Sequence, residues 1–205
     1  MILADELAAF YRKSGFGDAV GARPKSVRVY TGCLLVPMPN IETRRRYLKY
    51  HDLHHLVTGY SVGRIGEGEV SAWELGSGSF LAHPLLGVMN LIALSTGLVL
   101  ARRRMWRAFV RGCRSRHLYA PSVRADVERG RWPDLAALRA ATLEVRPARG
   151  NAATRACEFA AYALVALLIH MAIAVPAVIV RVVTDLGLGY NFFEAIKPAK
   201  RADLF

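Results

Sequence analysis

The chain has 205 residues, enough for one domain or one domain plus an appendage. Lys and Arg number 28 against 16 Asp and Glu, a formal charge of +12, while 53% of residues are hydrophobic and mean hydropathy is positive. Basic and apolar together point to a membrane surface before nucleic acid; zinc-finger pairs and RNP-like strands are missing, so no nucleic-acid partner is expected.

The chain begins with Leu3, Leu7, Phe10 and Tyr11 at helical spacing, which predicts a short amphipathic helix over residues 3–13. Asp5 and Glu6 interrupt any apolar run there, so no secretory signal is expected. Residues 14–18 and 21–24 carry loop chemistry. Residues 27–30 alternate apolar and polar but are too few to imply a sheet, and Pro37 and Pro39 around Met38 exclude regular structure. Asn40 suits an N-cap, with Glu42 or Thr43 in the first turn, for a helix running through Arg44, Arg45, Arg46 and Tyr47. The three arginines read either as a solvated face or as a dock for a phosphate or acidic head group. Cys33, Cys113 and Cys157 form no pair motif and read as free, buried thiols of a reducing compartment.

The same helix leads into His51-Asp52-Leu53-His54-His55, followed after eleven residues by Glu67. His51 and His55 are four apart and share a helix face, and Asp52 flanks it. The stretch at residues 57–63 allows a turn and a return, which brings Glu67 back. Two neutral imidazoles and two carboxylates suit zinc, iron, cobalt or manganese, so His51, Asp52, His55 and Glu67 are the expected metal ligands. The acid follows the first His, unlike in His-Glu-x-x-His proteases, and here can be a ligand or orient one. His54 points about 60° away from His51 on an ideal helix and is not expected to bind metal.

Gly66 to Glu69 opens the next helix, with Val70, Ala72, Trp73 and Leu75, and residues 76–79 end it. Glu69 and Glu74 read as outer supports of the site or as solvated groups. Residues 80–101 form a first long apolar stretch, long enough for a bilayer, which takes about 20 residues. Asn90, Ser95, Thr96 and Pro84 make a buried or interfacial helix an equal reading, and Arg102-Arg103-Arg104 is expected to end it sharply. Leu135, Leu138 and Leu143 give a further amphipathic helix starting at Pro133-Asp134. Residues 159–180 are the strongest apolar run, free of formal charge, and predict a transmembrane or deeply inserted helix; the alternative is a core helix packed on the first apolar stretch. Lys197, Lys200 and Arg201 form a basic tail suited to an anionic leaflet. The fold class expected is all-α: a helical bundle with a metal-binding domain over residues 1–150, then an apolar helix and basic tail over 151–205.

His51, Asp52, His55 and Glu67 at this spacing resemble the hallmark of the ubiquinone (coenzyme Q) biosynthesis protein 4 family. Ile65-Gly66-Glu67 followed by Trp73-Glu74, and Leu118-Tyr119, Arg131-Trp132, Leu135 and Leu138-Arg139, also resemble it. The resemblance covers roughly residues 5–147 and leaves residues 150–205 outside. It implies a part in ubiquinone biosynthesis: removing the carboxyl from ring carbon one of a prenylated hydroxybenzoate and hydroxylating that carbon, organising the biosynthetic complex, or both. Asp52 and Glu67 are then the candidate catalytic groups. The partners expected are the prenylated quinone precursor, membrane lipid, other ubiquinone-biosynthesis proteins and a second copy of the chain. The site of action expected is the cytoplasmic face of a bacterial inner membrane, peripheral or through one spanning helix. A second reading is a non-catalytic protein that binds prenyl lipid and organises assembly. A third, a membrane di-iron hydroxylase, needs several His boxes, whereas this chain has 6 His in all.

Overall fold

The computed structural model describes residues 3–14, 26–31, 34–39, 42–187 and 189. It contains helices α1 (Leu3–Lys13), α2 (Glu42–Thr58), α3 (Arg64–Ser77), α4 (Pro84–Gly112), α5 (Pro121–Glu128), α6 (Leu135–Thr142) and α7 (Ala152–Gly187), with a 3₁₀ turn at Ser79–Leu81. The helical class follows the apolar periodicity, and two of the helices, α4 and α7, are long and apolar enough to cross a membrane. The loops expected at residues 15–18 and 21–24, the Asn40 cap and the basic tail lie outside the described residues.

One stretch departs from expectation. Strands β1 (Ser26–Thr31) and β2 (Leu34–Pro39) pair antiparallel, with Val29 opposite Val36. Prolines forbid a central strand, but in a two-stranded sheet both strands are edges. Pro37 and Pro39 are two apart, so their missing N–H groups share one side of β2, where they can face away from β1.

The packing centres on α3 against α4. Gly76 and Gly112 sit where the two backbones touch: a Cβ on Gly76 would lie 2.2 Å from the Phe109 carbonyl oxygen, and one on Gly112 would lie 2.1 Å from that of Trp73. Around this contact Trp73, Leu75, Leu94, Met105 and Phe109 are fully buried. A second core joins Tyr47, Tyr50, Leu53 and Val57 of α2 to Leu118, Tyr119 and Leu138, with Leu3 and Leu7 of α1 laid on it. The charges at the ends of α1, Asp5 and Glu6 first and Arg12 and Lys13 last, complement its dipole. Gly78, at φ 92°, ends α3 in the left-handed conformation, and its N–H bonds the Glu74 and Leu75 carbonyls.

α4 is two helical segments joined at Ala101 (φ −155°, ψ 56°), so the apolar segment does end at the arginines, and a second segment starts there and runs to Gly112. Arg102 and Arg103 point to solvent, and Arg104 forms a two-armed ion pair with Glu69 at 2.8 and 2.6 Å. α7 packs its first half on α4 through Phe159, Tyr162 and Ala166, while only 6% of its apolar window is buried.

Candidate metal centre

Two helices and the short connection between them build the site. α2 carries His51, Asp52, His54 and His55, whose side chains are half-buried at His51 and buried at the others. α3 starts at Arg64, so Glu67 falls in its first turn and Glu74 lies two turns on, on the same face. Both carboxylates meet α2. Glu67 Oε2 is 3.2 Å from His51 Nε2, and Glu67 Oε1 is 3.5 Å from His55 Nε2. One donor atom from each of His51, His55 and Glu67 lies within 4.8 Å of the other two.

The far nitrogens decide what the near ones can do. His55 Nδ1 is 3.1 Å from the Tyr60 carbonyl oxygen, which only accepts, so Nδ1 carries the hydrogen and Nε2 is left with a lone pair. That buried Nε2 has no hydrogen-bond partner. His51 Nδ1 donates to Glu74 Oε1 at 2.9 Å. Two imidazole nitrogens thus face one carboxylate, an arrangement that calls for a cation, a proton or a metal, between them. An orphaned nitrogen beside a second nitrogen and a carboxylate oxygen is a donor set that fits a borderline divalent ion.

Glu74 braces the site from within. It is fully buried, and its Oε1 accepts from His51, from His54 Nδ1 at 2.7 Å and from the Tyr119 hydroxyl at 2.7 Å. His54 accepts the Leu118 backbone N–H on Nε2 at 2.9 Å, so both of its nitrogens are used and it is a strut, as its direction on the helix implied. A hydrogen-bonded carboxylate behind a metal-facing His is a recurrent way of fixing the ring and raising its basicity. Electrostatics agree. Burial opposes charge on His51, but Glu74 and Glu67 override it and hold its pKa well above the usual range. Burial likewise pushes Glu67 and Glu74 up, yet the histidines hold both well below ordinary carboxyl values. His54, dominated by burial, is pushed down and stays neutral.

Asp52 is not drawn into the triad. Its buried carboxyl accepts the Tyr11 hydroxyl of α1, and burial raises its pKa although His51 and His55 oppose the shift. Phe10 stacks on His55 with ring centroids 6.1 Å apart, so α1 covers this side of the site. Glu69 faces away, onto Arg104. Of the Arg44–Arg46 run, Arg45 pairs with Glu42 and Arg46 is exposed; the Arg44 side chain lies outside the described residues. His83 and His117 bond the nearby Leu85 N and Tyr119 N, and His170 bonds Ser95 Oγ across to α4, so no second His box forms among the described residues. Tyr119 and Tyr60 were not singled out from sequence for this site: the Tyr119 hydroxyl comes from a distant segment, and the Tyr60 contribution is a backbone carbonyl, which residue type does not mark.

Comparison with protein-family models, with curated proteins and with solved structures gives no match for this chain.

Proposed function

We propose that the chain is a metal-dependent protein of ubiquinone biosynthesis that acts on a prenylated hydroxybenzoate at the cytoplasmic face of a membrane. The observation that carries the reading is the pair of Nε2 atoms of His51 and His55, locked from behind and converging on Glu67. The resemblance of His51-Asp52-x-x-His55 and Glu67 to the family hallmark supplies the pathway. His51, His55 and Glu67 would hold a zinc, iron, cobalt or manganese ion, with Glu67 the carboxylate among its ligands and Asp52 held aside by Tyr11. A bound ion supplies Lewis acidity toward an aromatic carboxylate. The chain's own groups set the frame: Glu74 and the Tyr60 carbonyl fix the two rings, and Phe10 and Tyr11 cover one side of them. Exchanging a ring carboxyl for a hydroxyl releases CO2 and is a two-electron oxidation, so dioxygen or an equivalent oxidant is the co-substrate.

The assembly reading keeps one observation in its favour, the wide apolar surface of α7 left uncovered, which suits contact with lipid, with other biosynthetic proteins or with a second copy. The experiment that separates the two is turnover of a prenylated hydroxybenzoate by metal-loaded protein, alongside Glu67→Gln in cells. If the ion serves chemistry, Glu67→Gln retains some metal but the precursor accumulates and the decarboxylated, hydroxylated ring falls. Normal quinone levels in a variant shown to lack metal would give the assembly reading the better case.

A further inference from the structure

The exposed part of α7 packs beside a segment of α4 that carries three exposed arginines. Leu164, Leu168, Met171 and Val175, at 61%, 61%, 71% and 64% exposure, line one side of α7. Val165, Val180 and Val183 extend the apolar exposure to other sides. The remaining side is packed on α4 through Ala166, and the one histidine within residues 159–180, His170, is turned inward onto Ser95 at 3.1 Å. A helix lying in a membrane interface keeps a charged face toward water. Residues 159–180 offer none. At 1.5 Å per residue these 22 residues are about 33 Å long, against roughly 30 Å of hydrocarbon in a bilayer.

The charges sit at one end of this surface. Trp106, in the segment of α4 that follows Ala101, packs against Phe159 with ring centroids 5.3 Å apart, which fixes that segment beside the start of the apolar span. Arg102 and Arg103 lie one turn before Trp106, and Arg107 follows it. All three are exposed and have no carboxylate partner among the described residues. Three uncompensated guanidinium groups next to a bilayer-length apolar helix complement the phosphates of an anionic leaflet.

We propose that α7 crosses the bilayer, and that Arg102, Arg103 and Arg107 bind the head groups of an anionic leaflet on the side of the metal triad. This rests on the reading that the protein sits at a membrane and is independent of what the triad does. The test begins with membranes from cells making the full chain. Wild-type protein is expected to stay with the membrane through high salt and alkaline carbonate and to leave only with detergent. Leu168→Asp with Met171→Asp, both far from the core, should move most of the protein to the soluble fraction with unchanged metal content. Reconstituted into mixed phosphatidylglycerol and phosphatidylcholine vesicles, the wild type should retain lipid enriched in phosphatidylglycerol. Arg102→Gln with Arg103→Gln and Arg107→Gln should retain lipid at the bulk ratio. Release by salt or carbonate would overturn the crossing and leave a peripheral protein. Membrane retention of the Leu168/Met171 variant would place insertion elsewhere, and wild-type retention at the bulk lipid ratio would remove the arginines' role. Wild-type protein that is soluble without treatment and dimerises with concentration would give the surface to a second copy. Metal content and turnover are measured separately, so failure of the chemistry leaves this inference standing.

Discussion

The contact between α3 and α4 offers a sharp perturbation because backbone, not side chain, stands in the way. In Gly112→Ala the new methyl carbon would lie 2.1 Å from the Trp73 carbonyl oxygen and 3.0 Å from Trp73 Cα. Ordinary contact begins near 3.4 Å, so the helices must part by about 1.3 Å. Trp73 and Phe109, both fully buried, cannot follow without opening the layer between them. Overpacking of this kind costs about 1–3 kcal/mol. The gain from replacing Gly by Ala, up to about 1 kcal/mol in a helix interior, is smaller at the last residue of α4. A net loss of about 2 kcal/mol lowers the melting temperature by roughly 4–8 °C in a protein of this size. Glu74 follows Trp73, so metal affinity should fall with stability. Gly76→Ala wedges the same contact, and the double variant should lose less than the two single losses together, because the gap has already been opened. Thermal unfolding in detergent and metal content of all three variants test this. A Gly112→Ala protein as stable as wild type would mean the helices do not meet as described.

The remaining expectations concern the site. His51→Ala or His55→Ala should lose most of the bound metal by elemental analysis; His54→Ala should keep metal but lose about 1–3 kcal/mol of stability, because the buried Leu118 N–H loses its acceptor. Equal metal loss from His54→Ala would put the ion on the wrong face. Glu74→Gln should weaken metal binding about 10–100-fold with helical content unchanged, the usual consequence of removing a carboxylate behind a ligating His; unchanged affinity would remove its bracing role. Metal affinity should rise with pH through the neutral range. The His51 pKa is held above its usual value, so the metal-free protein carries a proton there that metal must displace, and acid favours the proton. Calorimetry in buffers of differing ionisation enthalpy should show proton release, and an affinity flat with pH would refute it.

The spacing of His51 and His55 was legible because helical periodicity alone sets neighbours four apart, and the run from Val57 to Gly63 announced the return that delivers Glu67. Asp52 was not legible. It follows His51 by one residue, about 100° around the helix, and its partner Tyr11 comes from α1, 41 positions earlier, which no local pattern encodes. The hairpin at β1 and β2 was hidden by prolines that only an edge tolerates. The end of the apolar segment of α4 at three consecutive arginines was legible, but the second segment that starts there was not, since its support comes from what lies opposite: solvent for Arg102 and Arg103, Glu69 for Arg104.

The Tyr60 carbonyl has a consequence for how such a site is tuned. Tyr60 lies in the connection between α2 and α3, and that connection is pinned from α4: Arg111 donates to the Thr58 carbonyl at 2.9 Å and lies over the Tyr60 ring at 5.6 Å. The choice of which His55 nitrogen faces inward is therefore made by a loop and by a helix that contributes no ligand. Inserting one residue between Gly59 and Gly63 would move the Tyr60 carbonyl and free Nδ1, and the ring could then present either nitrogen. Ion preference becomes a property of loop length, adjustable without touching a single ligand.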